Sequence, residues 1–119
     1  MKLDHIVILL GTPEITLPFY RHLLPLLGFQ PERGDVYSNA DGLYLDFRTA
    51  GEPAHAYRRQ APGLNHLGFT APDLAAVEAI QSKMRQAGFD APEIQNFPDS
   101  SALFMKDPEG MRIEVACYH

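Results

Sequence analysis

Hydrophobic positions along the chain change period in a fixed order, and that order is written twice. Residues 2–10 are mostly apolar and β-branched, the pattern of a largely buried strand. Tyr20, Leu23, Leu24 and Leu27 then fall at i, i+3, i+4 and i+7, one apolar helix face. Pro13 and Pro18 are tolerable in a first turn, which favours Thr16 over Thr12 as the N-cap. Pro25 kinks the last turn, and Gly28 suits the left-handed position beyond it. Residues 35–48 read as a hairpin turning at Asn39-Ala40-Asp41-Gly42. The second half opens on the strand 64–70, and Asp73 caps a helix whose buried face is Val77, Ile80, Met84 and Ala87. Residues 101–117 form another hairpin, turning at Asp107-Pro108-Glu109-Gly110, with Pro at i+1 and Gly at i+3 of the turn.

Paired positions recur about 60 to 68 residues apart: His5 with His66, Gly28-Phe29 with Gly88-Phe89, Gly42 with Gly110, Asp46 with Glu114. The extra residues of the second half fall between Gly88 and Gly110, a single localised insertion. The reading is an α+β fold of two βαβββ modules, residues 1–48 and 64–119, in a single domain spanning 1–119. Residues 49–63, aperiodic and carrying two prolines and two glycines, are the linker. The modules are expected to build a curved, partly closed mixed sheet around a cavity. A ferredoxin-like sandwich explains β-α-β but not paired hairpins ending in matched acids.

Composition narrows the function. A length of 119 residues suits one domain, and 45% apolar with 21% charged residues is the ordinary globular range. A net charge of −5 with no basic stripe argues against nucleic acid and anionic membrane as partners. No apolar run approaches the ~20 residues of a membrane span, and the N-terminus lacks an apolar signal region. Cys117 is alone, so no intrachain disulfide forms and a cytoplasmic location is expected. Its place on the apolar side of its strand makes it a small core residue.

Strand alternation places the chemistry. Leu43, Leu45 and Phe47 share one face, and Tyr44, Asp46 and Arg48 the other. Ile113, Val115 and Cys117 likewise oppose Arg112 and Glu114. The apolar sets must meet the helices, so both acids point to the concave side. His5 and His66 with Glu114, and with Asp46 as a fourth member or as an acid paired to Arg48 or Arg112, make a mixed N/O set. Mn, Fe, Co, Ni and Zn accept such ligands, and two His with one carboxylate leave positions open for substrate. Tyr44 and Phe104 are expected to line the cavity, and Arg48 and Arg112 to clamp an anionic substrate or to be plain surface charges. His22, His55 and His119 have no repeat partner and read as surface residues.

The stretches LDHIVI, FYRHLLPLLGF, LNHLGFTAPDLAAV and KDPEGMRIEV, spread over nearly the whole length, resemble the vicinal oxygen chelate superfamily, the glyoxalase/bleomycin-resistance/dioxygenase fold. The last is the most specific, since members commonly end on such a turn followed by a metal-binding Glu strand. The resemblance implies one divalent metal on His5, His66 and Glu114, with Asp46 where glyoxalases carry a catalytic carboxylate, usually Glu. It implies a lyase or isomerase acting on a small molecule with vicinal oxygens, an enediolate stabilised at the metal and Asp46 or Glu114 moving the proton. Leu9 stands where glyoxalase I has a basic residue for glutathione, so a glutathione adduct is not favoured. A ring-cleaving dioxygenase and a non-enzymatic antibiotic-binding module are the alternatives. Exposed sheet edges point to a homodimer, and the long linker lets the modules pair within or between chains; if they exchange between chains, each site is shared.

Overall fold

In the computed structural model, which describes residues 1–119, each hairpin is fixed by an Asx residue at the start of its turn. Asn39 Oδ1 accepts from the Leu43 amide at 3.0 Å, and the Gly42 amide donates to the Asn39 carbonyl at 3.1 Å. Asp107, which is buried, repeats the device: its Oδ1 accepts from Met111 N at 3.1 Å and Glu109 N at 2.7 Å, and Gly110 N donates to its carbonyl at 2.9 Å. Gly42 and Gly110 take φ of +78° and +94°, a backbone region that side-chain-bearing residues rarely adopt. The turns set the register that aims the acids four residues further on.

The chain divides into two units, Met1–Ala56 and Tyr57–His119, and the boundary falls inside the expected linker. The first contains β1 (His5–Leu10), α1 (Pro13–Leu26), β2 (Gln30–Pro31), β3 (Val36–Ser38) and β4 (Tyr44–Thr49). The second contains β5 (His66–Thr70), α2 (Leu74–Gln86), β6 (Gln95–Phe97), β7 (Ser100–Lys106) and β8 (Arg112–Tyr118). Each is βαβββ. Their sheets run β1-β4-β3-β2 and β5-β8-β7-β6, with the first pair of each parallel and the others antiparallel. The two mixed four-stranded sheets with their helices are the expected α+β fold.

Both helices end in the same way. Phe29 N donates to Leu24 O at 2.9 Å and Gly28 N to Pro25 O at 3.2 Å; Phe89 N donates to Met84 O and Gly88 N to Arg85 O, both at 3.0 Å. These are Schellman caps, with Gly28 and Gly88 at φ of +88° and +89°. The repeated Gly-Phe pair is therefore a stop signal: the glycine supplies the left-handed turn, and the phenylalanine amide closes it.

The start of α1 corrects the sequence reading. Thr12, not Thr16, is the N-cap, and Pro13 occupies the first helical position, where its missing N–H is not needed. Thr16 is fully buried inside the helix. Pro18 and Pro25 also lie within α1, because they share an exposed stripe with Glu14 and Arg21. The carbonyls deprived of a partner are those of Glu14 and Arg21, four residues earlier, on the solvent side. In α2 Asp73 caps as expected, accepting from Ala76 N at 2.8 Å, but Ala87 is exposed beyond the buried Val77, Ile80 and Met84. It is the C-cap, past the last turn that faces the sheet.

The cores confirm the alternation. Tyr20 of α1 meets Phe47 of β4 at a ring separation of 4.5 Å, with Phe19 and Tyr37 at edge-on angles around them. Leu45 and Phe47 are buried while Tyr44, Asp46 and Arg48 are not. In the second unit Ile113, Val115 and Cys117 are buried, as are Leu103 and Met105 of β7. No helix is long and apolar enough to cross a membrane.

Candidate functional site

The two histidines start the edge strands β1 and β5, beside the central strands that carry the acids. His5 pairs in register with Tyr44 and Val7 with Asp46; His66 pairs with Arg112 and Gly68 with Glu114. In both units the acid therefore lies two residues along from the histidine's partner, on the face away from the helix.

The residue before each histidine holds its ring. His5 Nδ1 lies 2.7 Å from Asp4 Oδ2, and His66 Nδ1 lies 2.7 Å from Asn65 Oδ1. Asn65 Nδ2 donates to the Arg59 carbonyl at 2.9 Å, which makes its Oδ1 the acceptor and Nδ1 of His66 the donor. Tyr57 Oη reaches the carbonyls of Leu64 and Asn65 at 2.7 and 2.9 Å and pins the approach to β5. With Nδ1–H engaged on a carboxylate or amide oxygen, Nε2 is the ring nitrogen left for a further partner, and in His66 it has one. Metal-ligating histidines are oriented in this manner.

Glu114 Oε2 sits 3.0 Å from His66 Nε2. An imidazole nitrogen beside a carboxylate oxygen is the mixed donor type that borderline divalent ions accept. A Cβ at Gly68 would lie 3.8 Å from Glu114 Oε2, in ordinary van der Waals contact.

The first unit arranges its acid otherwise. Arg48 Nη2 and Nε donate to Asp46 Oδ2 at 2.6 and 3.0 Å, which settles the partner of Asp46 as Arg48 rather than Arg112. The hydrogen bond from Arg48, with its charge, holds the Asp46 carboxyl below the usual carboxylate range, and Arg33 and His5 add to this. Asp46 in turn pushes the Arg48 guanidinium up. A pocket of about 310 Å³ opens here, between Asp4 and His5, the β4 residues Tyr44, Asp46 and Arg48, and Arg33 and Val36.

In the second unit Phe104 lies opposite Glu114 in register, and the Arg112 guanidinium stacks over its ring at 5.0 Å. Arg112 Nε is buried with no hydrogen-bond partner. Within neither unit do three His, Cys, Asp or Glu side chains gather in ligating positions. Each unit holds two of the expected four: His5 and Asp46, or His66 and Glu114. Asp4, Arg33 and Val36 are the pocket residues that sequence pattern did not single out, and of these Arg33 carries the positive charge. Its turn lacks periodicity, and Arg33 has no repeat partner. His22, His55 and His119 are exposed, as expected for residues outside the repeat.

Comparison with known proteins supports this arrangement of strands. The family model for the Glyoxalase/Bleomycin resistance protein/Dioxygenase superfamily matches residues 2–115. A glyoxalase candidate from Bacillus halodurans superposes with a TM-score of 0.83 at 25% identity, covering 97% of this chain and 94% of its own. A glyoxylase/bleomycin resistance protein/dioxygenase domain from Frankia sp. EAN1pec gives 0.77 at 19% identity, covering 100% and 91%. Lactoylglutathione lyase from Agrobacterium tumefaciens gives 0.66 at 18% identity, covering 98% and 92%. Among curated proteins none matches.

Proposed function

The chain belongs to the glyoxalase/bleomycin resistance protein/dioxygenase superfamily, and from that membership we propose that it is a metal-dependent enzyme of lyase or isomerase type. Its substrate is a small molecule with vicinal oxygens. His5, His66 and Glu114 hold one divalent ion. The observation that carries this reading is the pair of matched histidines, each with Nδ1 fixed by its preceding residue, together with Glu114 at 3.0 Å from Nε2 of His66.

Such an ion, when bound, withdraws charge from substrate oxygens and so acidifies the adjacent C–H. The chain's own residues supply the rest. Asp4 and Asn65 keep both Nε2 atoms directed away from the backbone. Asp46 is the acceptor for a substrate proton in this reading, its pairing with Arg48 making it a weaker base than a free carboxylate, and Glu114 is the alternative. Tyr44, Arg48, Phe104 and Arg112 surround the bound molecule, Tyr44 and Phe104 as apolar walls with Arg48 and Arg112 as charges.

Metal analysis of the purified protein, paired with deuterium exchange into the carbinol C–H of a 2-hydroxyketone such as hydroxyacetone, tests the reading. Stoichiometric metal and metal-dependent exchange are expected, with exchange lost in Glu114→Gln. Stoichiometric metal retained by a His5→Ala, His66→Ala double variant would overturn it.

The working form in this proposal is a homodimer in which His5 and Asp46 of one chain meet His66 and Glu114 of the other. Mixing a His5→Ala chain with a Glu114→Ala chain then regenerates one intact site per heterodimer. A monomer at micromolar concentration with metal fully bound excludes the shared arrangement.

A further inference from the structure

The carboxylates around the first unit's pocket are distributed unevenly among the cations. Asp46 accepts both donors of Arg48 on one oxygen. Asp4 is held at His5 Nδ1. Asp35, two residues beyond Arg33, is taken by Arg21 at 3.1 Å. Glu32, the residue before Arg33, accepts from the Ser38 hydroxyl. Each of these acids thus has its hydrogen-bond partner elsewhere, and Arg33, which acts on Asp46 only through its charge, lines the pocket with its five donors and no ion pair of its own.

Its backbone is nonetheless fixed. Val36 N donates to Arg33 O at 3.1 Å and Glu32 N to Val36 O at 2.9 Å, closing the turn between β2 and β3, with Gly34 at φ +53°. A guanidinium on a closed turn, facing a pocket of small-molecule size, matches a planar oxyanion in geometry and charge.

We infer that this pocket binds the anionic group of a small molecule, a carboxylate or similar oxyanion, with Arg33 as its charge partner. The inference rests on the proposed function for the identity of the pocket as a substrate site, and it names the charge class of that substrate. Arg48 is a weaker receptor, because an anion there competes with Asp46.

Glycolate and its neutral isostere glycolamide separate charge from shape. Each is titrated into the ¹⁵N-labelled full-length chain, as purified and after dialysis against a chelator. Glycolate is expected to bind at least about tenfold more tightly than glycolamide, shifting the amides of residues 34–36 and 44–46. The preference should vanish in Arg33→Gln, persist in part in Arg33→Lys, and stand unchanged in Arg58→Gln of the other unit. Equal binding of the two probes, or a preference that survives Arg33→Gln, overturns the inference. Metal content is read in the same samples. Loss of the anion preference with metal retained counts against this inference alone; absence of metal with the preference intact counts against the metal reading alone.

Discussion

The same strand pattern delivers a histidine and an acid in both units, yet the two pairs differ in what the acid touches. In the second unit Glu114 reaches Nε2 of His66; in the first Asp46 turns to Arg48. Three substitutions at equivalent register positions explain the divergence. Glu is one methylene longer than Asp. Gly68 stands opposite Glu114 where Val7 stands opposite Asp46, so one acid has open space toward its histidine and the other has an isopropyl group beside it. Arg48 is replaced by Ala116, so Glu114 has no cation two residues along. A duplicated scaffold fixes where a side chain starts, while its neighbours decide where it ends.

The largest effect is expected from removing both histidines. The His5→Ala, His66→Ala double variant should bind divalent metal at least about 100-fold more weakly than His22→Ala, measured by competition with a chromophoric chelator. Gly68→Val copies the first unit's crowding into the second. It should move Glu114 off His66 and weaken metal binding about tenfold, while Gly68→Ala, with its Cβ at 3.8 Å, should change little. An unaffected Gly68→Val protein would show that chain length or Arg48, not the opposite residue, makes the difference.

Where the units are alike they should respond alike. Gly28→Ala and Gly88→Ala each place a side chain at φ near +90° with nothing within 4 Å of the new Cβ, so strain acts alone. Each should cost about 1 kcal/mol in chemical denaturation, and unequal values would break the symmetry of the caps. The smallest change is in titration. Arg48→Gln should return the Asp46 carboxyl upward toward the ordinary range, followed by NMR of its side-chain carbon. Because folding depresses that group, its contribution to stability is present above about pH 3.9 and is lost as pH falls through the lower folded value. Arg48→Gln should therefore flatten the acid side of the stability profile.

Much of this was legible in the chain. Alternation identified the buried and open faces of β4 and β8, and the glycine turns marked both hairpins. The matched histidines were visible because strand position is a local property. The N-cap was misread because Pro18 looks like a first-turn residue until its solvent-facing stripe is known. The partner of Asp46 was not decidable from pattern, since Arg48 shares its face on the same strand and Arg112 belongs to a comparable one. Arg33 escaped notice for a related reason: its significance lies in Glu32 and Asp35 being occupied by Ser38 and Arg21, contacts that no periodicity encodes.

The parallel pairings carry a kinetic consequence. Joining β1 to β4, or β5 to β8, closes a loop of roughly 40 to 50 residues that contains a helix and two strands. Loop-closure entropy grows only with the logarithm of length, so the two closures differ by a few tenths of a kcal/mol at most. Neither half gains a head start from topology. One difference that remains between them lies in the helices, where α1 carries prolines within its turns and α2 carries none.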